Sequence, residues 1–127
     1  MFDKIEILQL AQGLAAHSAA RQSVVARNIA NADTPGFKAQ DIAPFAESYG
    51  QQKTASLRST RAGHIGGPGR SAEPATTLTP SAESSPNGNS VSLEGEMVKA
   101  SETRYQHDLA LAVYKSTLGI IRMSLGR

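Results

Sequence analysis

This sequence predicts a mainly α-helical chain in which two long terminal helices form a coiled-coil-like hairpin around a Gly/Pro/Ser-rich, poorly ordered middle. Three observations carry that prediction. Apolar residues recur at 3-4 spacing through the first and last thirds of the chain. The residues between them hold few large aliphatics, with Leu57, Ile65 and Leu78 standing alone among Gly, Pro, Ser and Thr. There is no Trp, and the three Phe and three Tyr supply little aromatic bulk for an interior. At 127 residues and 13.4 kDa the chain is one folding unit, because halving it would leave neither part enough apolar surface to bury.

The first helix, in residues 1–34, opens with Asp3 as a cap for a helix starting at Lys4, Glu6 completing a capping box and Phe2 stapling against Ile7. Leu8, Ala11, Ala15, Ser18, Gln22, Val25, Ile29 and Ala32 then trace one face. Its Ala and Ser content lets a neighbouring helix approach closely. The helix ends near Asn31 to Thr34, since Pro35 disfavours helical geometry at the residue before it and Pro35-Gly36 suits the centre of a type II turn. Residues 35–49 follow as that turn and its continuation. Residues 50–90 cannot bury enough surface to offset an ordering entropy of about 1–2 kcal/mol per residue. They are expected to be mobile in the free chain and to gain short extended pieces on assembly. The second helix, in residues 91–127, carries the longest periodic run: Leu93, Met97, Ala100, Arg104, His107, Leu111, Tyr114, Leu118, Ile121 and Leu125. Glu94 and Glu96 at its start and Arg122 near its end complement the helix dipole. The two helices pair in parallel or antiparallel fashion, and with a single shared seam they need further partners. Gly13 and Gly119, costly inside a helix, point to close approach or a local bend.

Composition excludes several functions. Thirteen basic against eleven acidic residues leave a formal charge of +2, too little for a nucleic-acid binder. The basic side chains Lys38, Lys53, Arg58, Arg61 and Arg70 read as solvated loop charge. With no Cys, and with His17, His64 and His107 scattered, neither a disulfide framework nor a metal site is expected. The uncharged run from Ile7 to Ala20 is too short to span a bilayer, and Asp3 and Glu6 spoil a secretory signal. No phosphate-binding loop, nucleophile elbow or catalytic acid–His pairing occurs, so neither catalysis nor a cofactor is expected. Tyr105 and Tyr114 read as packing residues. Arg104 and His107, the polar members of the second stripe, read as side chains snorkelling at a seam edge, with intersubunit hydrogen bonding as the other possibility.

The most specific segment is Ala26-Arg27-Asn28-Ile29-Ala30-Asn31-Ala32-Asp33-Thr34-Pro35-Gly36-Phe37. Taken singly, each Asn or the Pro-Gly is a helix C-cap followed by a turn. Asn28 and Asn31 share a face, and their amides both donate and accept, as free carbonyls at a helix end require. The whole string resembles the N-terminal signature of bacterial flagellar basal-body rod and hook proteins, an Ala-Asn-x-Ala-Asn-like sequence running into Thr-Pro-Gly-Tyr/Phe. Asn28, Ala30, Asn31, Thr34, Pro35, Gly36 and Phe37 match it, and Arg27 stands where a small residue is usual. Val91-Ser92-Leu93-Glu94-Gly95-Glu96-Met97 is similar to the Val-Asp-Leu-Asp-x-Glu-Met of the proximal rod members, with Ser92 and Glu94 as mild departures. Arg104-Tyr105-Gln106 and the Thr60 to Ile65 stretch also resemble them. The short chain, without the middle domains of distal rod and hook proteins, is similar to the proximal rod branch.

The resemblance implies a structural subunit that polymerises through its terminal helices into the rod that transmits motor torque. It implies subunit contacts through Asn28, Ile29, Ala30, Asn31, Thr34, Pro35, Gly36 and Phe37. It also implies helix interfaces through Leu8, Ala11, Ala15, Val25, Leu93, Met97, Ala100, Leu111, Tyr114, Leu118, Ile121 and Leu125. The partners implied are copies of the chain itself, other rod proteins, the adaptor FliE, the inner-membrane ring and the flagellar type III export apparatus. The location implied is the periplasmic rod, reached without a cleaved Sec signal. A soluble helical adaptor or export chaperone is the alternative from another class. A membrane-surface helix is disfavoured by the Ala-rich stripes and the lack of Trp anchors.

Overall fold

The computed structural model describes residues 2–52, 76–78 and 85–126. In chain order it holds α1 (Phe2–Ala30), β1 (Gln40–Ile42), α2 (Phe45–Gln52), β2 (Thr76–Leu78) and α3 (Leu93–Ser124). The molecule is mainly helical, with the two long helices at its ends. Most of the 50–90 stretch expected to be mobile lies outside the described residues. One short extended piece of that stretch, β2, already occurs within the single chain, where it pairs antiparallel with β1, Gln40 opposite Leu78 and Ile42 opposite Thr76.

α1 starts at Phe2, ahead of the Lys4 start that the cap residues predict, so Asp3 lies inside the first turn and does not cap it. The other end follows the sequence closely. Asn31 N–H is shared between the Arg27 and Asn28 carbonyls at 3.2 and 3.1 Å, tightening the last turn. Thr34, Pro35, Gly36 and Phe37 then form the turn, closed by Phe37 N–H to Thr34 O at 3.3 Å. Gly36 sits at φ 72°, the left-handed value that the third residue of a type II turn requires. α3 is capped by Ser92, whose hydroxyl accepts from Gly95 N–H at 3.4 Å, so the serine does the work of the family's aspartate.

The end of α1 is bonded to the start of α3, as Asn28 to Glu96 shows, so the helices run antiparallel. α1 buries Ala11, Ser18 and Val25, and α3 buries Glu96, Thr103, Ala110 and Thr117. Each set repeats every seven residues, the pattern of a coiled-coil seam. The seam is built from small and polar side chains. Thr103 and Thr117 turn their hydroxyls back onto the Lys99 and Val113 carbonyls of their own helix, at 2.7 and 2.9 Å, and so enter the seam without needing a partner across it.

The stripe that large apolar residues trace along α3 is therefore not the edge that meets α1. Leu93, Met97, Leu111 and Leu125 are exposed, and Ala100, Tyr114, Leu118 and Ile121 are half-buried. On α1, Ala11 and Val25 are buried and Leu8 and Ala15 half-buried. The difference has a physical cause: a narrow seam of Ala, Ser and Thr draws the backbones together and leaves the bulkier side chains on the flanks.

α2 was not expected, since its eight residues show no apolar repeat. It is placed by Phe45, whose ring meets the His17 imidazole edge-on with centroids 5.5 Å apart. The Phe45 ring also covers Gly13, where a Cβ would stand 3.5 Å from it. The close approach expected at Gly13 thus comes from α2, while nothing lies within 4 Å of a Cβ at Gly119.

Candidate functional site

The signature segment lies where the hairpin closes, and its geometry grows from two buried asparagines. Asn28, fully buried on the last turn of α1, pairs with the backbone of Gln40 as a strand residue would. Its Nδ2 donates to Gln40 O at 2.6 Å, and its Oδ1 accepts from Gln40 N–H at 3.1 Å. The same Nδ2 donates to Glu96 Oε2 at 2.9 Å. One amide therefore ties α1, the start of β1 and the first turn of α3 together. An amide is suited to this because it carries donors and acceptors on one small plane.

Asn89, 2% exposed in the loop before α3, does the same for the end of α1. Its Nδ2 lies 3.0, 2.7 and 2.9 Å from the carbonyls of Asn31, Ala32 and Thr34, in the turn where the chain leaves α1 and the helical bonding pattern runs out. Its Oδ1 accepts from Val91 N–H at 2.8 Å, which sets the chain on course into α3. Around it the loop is stitched to the Thr-Pro-Gly turn. Gly36 N–H donates to Asn87 O, Ser90 N–H to Phe37 O, and Ala39 N–H to the Ser90 hydroxyl, at 3.0, 3.0 and 2.8 Å. Gly88, at φ 81°, brings its Cα side against Gly36, where an added Cβ would stand 3.5 Å from the Gly36 Cα.

A charged chain runs outward from this junction. Glu96 Oε1 accepts from Lys99 Nζ at 2.9 Å, and Lys99 Nζ also lies 3.4 Å from Asp41 Oδ2. Arg21 grips Asp41 with both arms, Nε to Oδ1 at 2.9 Å and Nη2 to Oδ2 at 3.1 Å, the fork geometry that favours Arg. Burial pushes the Asp41 carboxyl up, but hydrogen bonds from Arg21 and from Ile42 N–H, with the Arg21 and Lys99 charges, outweigh it and hold the group below its ordinary value of 3.8. The hydrogen bond to Asp41 raises Arg21. Lys99 is raised too, burial being outweighed by Glu96 and Asp41.

The structure thus divides the signature residues. Asn28 is enclosed within its own chain, and Ile29, Asn31 and Phe37 are half-buried. Ala30, Thr34, Pro35 and Gly36 face outward as a ridge beside the junction. Asn89, Lys99, Arg21 and Asp41 were not singled out from the sequence, and Glu96 was read there as a dipole-complementing acid and a motif match, not as a partner of Asn28. Asn89 announces itself only through the Asn-Gly-Asn turn before a helix start. His107, by contrast, has only a distant approach to its neighbour Asp108, at 3.8 Å.

What the arrangement does chemically is hold shape: Asn28, Asn89, Glu96, Lys99, Arg21 and Asp41 are each bonded to another part of the same fold. A family model of flagella basal body rod proteins matches residues 8–38, the span that ends in this junction. The chain is 35% identical over 127 residues to the flagellar basal body rod protein FlgB of Agrobacterium fabrum, covering 97% of this chain and 95% of that protein. It is 32% identical over 130 residues to the FlgB of Escherichia coli K12, covering 88% of each. It is 34% identical over 110 residues to that of Salmonella typhimurium LT2, covering 79% of this chain and 78% of that one. With the helix hairpin, the Asn-rich turn and these full-length likenesses in hand, the chain belongs to the flagellar basal body rod proteins of the FlgB family.

Proposed function

We propose that this structural subunit of the flagellar proximal rod polymerises through the outward faces of α1 and α3, which neighbouring subunits cover. The carrying observation is the exposure of large apolar side chains along both helices of the single chain: Ile5, Ile7 and Leu10 on α1, and Met97, Val98, Tyr105, Leu109, Ile120 and Met123 on α3. Patches of this extent mark surfaces meant for a partner. At about 25 cal/mol per Å², covering roughly 1,000 Å² of such surface supplies on the order of 25 kcal/mol before ordering costs. The helix-interface positions Leu93, Met97, Leu111 and Leu125 belong to these faces, and the ridge of Thr34, Pro35 and Gly36 adds a polar edge to the contact.

On this reading the neighbours are copies of the chain and other rod proteins, with the adaptor FliE and the inner-membrane ring at the base. The subunit travels through the flagellar type III export apparatus to the periplasm. No helix among the described residues is long and apolar enough to cross a membrane. A thin seam with little apolar bulk suits a chain that must be threaded and then completed by its neighbours. The family relationship supports the rod over a soluble adaptor or export chaperone. Deleting the chain and imaging basal bodies tests the reading: rings without a rod are expected, and complete rods would overturn it.

A further inference from the structure

The buried seam of the hairpin specifies little about register. Stepping seven residues down α1 and seven up α3 from the Asn28–Glu96 bond brings Arg21 and Ser18 to the level of Thr103, and Leu14 and Ala11 to the level of Ala110. Moving α3 by one further heptad sets Ser18 against Ala110 and Val25 against Thr103. These are small or β-branched residues; the Thr103 hydroxyl is bonded within its own helix, and the buried Ser18 hydroxyl makes no bond across the seam. The buried seam positions that would meet after such a slide, Ser18, Val25, Thr103 and Ala110, carry no charge. What opposes it lies at the closed end, where displacement strips Glu96 of Asn28, the carbonyls of Asn31, Ala32 and Thr34 of Asn89, and Asp41 of Lys99.

We propose that the polar junction, the Asn28–Glu96 pair with the Asn89 clamp, is the element that fixes the register of the two helices, and with it the length of each helix presented to neighbouring subunits. Buried polar pairs are known to act this way in coiled coils, giving up some stability for a single alignment. Asn28 and Asn89 are suited to it because Asn28 bonds at once to β1 and α3, and Asn89 joins the segment after α1 to the start of α3. The assignment concerns the single chain and stands apart from the rod reading.

The chain has no cysteine, so paired spin labels report alignment cleanly. Gln22→Cys and Ser116→Cys place labels on exposed positions well separated along the hairpin. A one-heptad slide, about 10 Å at 1.5 Å per residue, then appears nearly in full as a change in their distance. In the full-length chain, double electron–electron resonance is expected to give one narrow distance. With Asn28→Leu, Glu96→Leu and Asn89→Ala introduced together, helix content by circular dichroism is expected to persist while a second distance appears. A narrow, unchanged distance in that variant would overturn the proposal by showing that packing alone sets register. Loss of the helices would also overturn it, since the junction would then supply stability and not alignment. The absence of a narrow distance in the parent chain would do the same, because a lock internal to one chain must act without neighbours.

Discussion

The closed end of the hairpin and its two arms are made of the same helices but solved differently. At the closed end, carbonyls of the turn after α1 are taken up by Asn89, Glu96 is met by Asn28 and Lys99, and Asp41 is gripped by Arg21. Along the arms the helices share a strip of Ala, Ser and Thr, and their bulkier residues are turned outward. A region whose polar groups are satisfied within the chain has a shape of its own. A region that leaves apolar surface in water has a shape to be finished by something else. The contrast assigns intrachain architecture to the junction and assembly to the arms.

The contrast breaks most visibly at an arm residue. Leu109→Glu puts a carboxylate on an exposed apolar face of α3, and is expected to abolish rod formation and swimming in soft agar while shifting the urea midpoint of the isolated chain by no more than about 0.5 kcal/mol. Normal motility would show that this face meets no neighbour. At the junction the expectation reverses. Asn89→Ala removes the shared donor from the carbonyls of Asn31, Ala32 and Thr34, two of which keep a backbone N–H of the turn, and is expected to cost about 2 kcal/mol in the same urea titration.

Smaller effects sharpen the boundary between the two regions. Gly36→Ala has open space for its methyl, but the φ of 72° is strained for any side chain, so a loss of about 1 kcal/mol is expected. An equal or higher stability would show that the turn relaxes out of its type II form. The Asp41 ion pair provides the mildest test. A carboxyl held below 3.8 in the folded chain contributes stability that is complete above that value and lost as pH falls through the lower, folded one. The raised Lys99 and Arg21 act in the opposite sense, losing their contribution only as pH climbs beyond their ordinary values, in the strongly alkaline range. Stability is therefore expected to be level from pH 5 to 9 as far as this pair is concerned, and to decline below about pH 4. Asp41→Asn should remove that acid limb from the profile.

Much of this was legible in the residues because it is local. The 3-4 spacing gives both helices, Pro35-Gly36 gives the type II turn, and Asn28 with Asn31 marks the helix end. What was hidden is long-range. Glu96 looks like a dipole-complementing surface acid until Asn28 is seen 2.9 Å away across 68 residues of chain. The seam escaped because large apolar side chains were expected to mark the partner-facing edge, whereas Ala11, Ser18, Thr103 and Ala110 pack there by being small. α2 escaped because it is held by one aromatic contact, Phe45 on His17, and not by a repeat of its own.

Amide hydrogen exchange of the full-length chain, alone and in purified basal bodies, tests the division between junction and arms most directly. The account predicts that amides of residues 28–31 and 96–103 exchange equally slowly in both states, while those of 5–14 and 109–121, less protected in the isolated chain, gain protection in the assembled rod. Equal protection of the arms in the isolated chain would contradict it, because the hairpin would then be complete without neighbours.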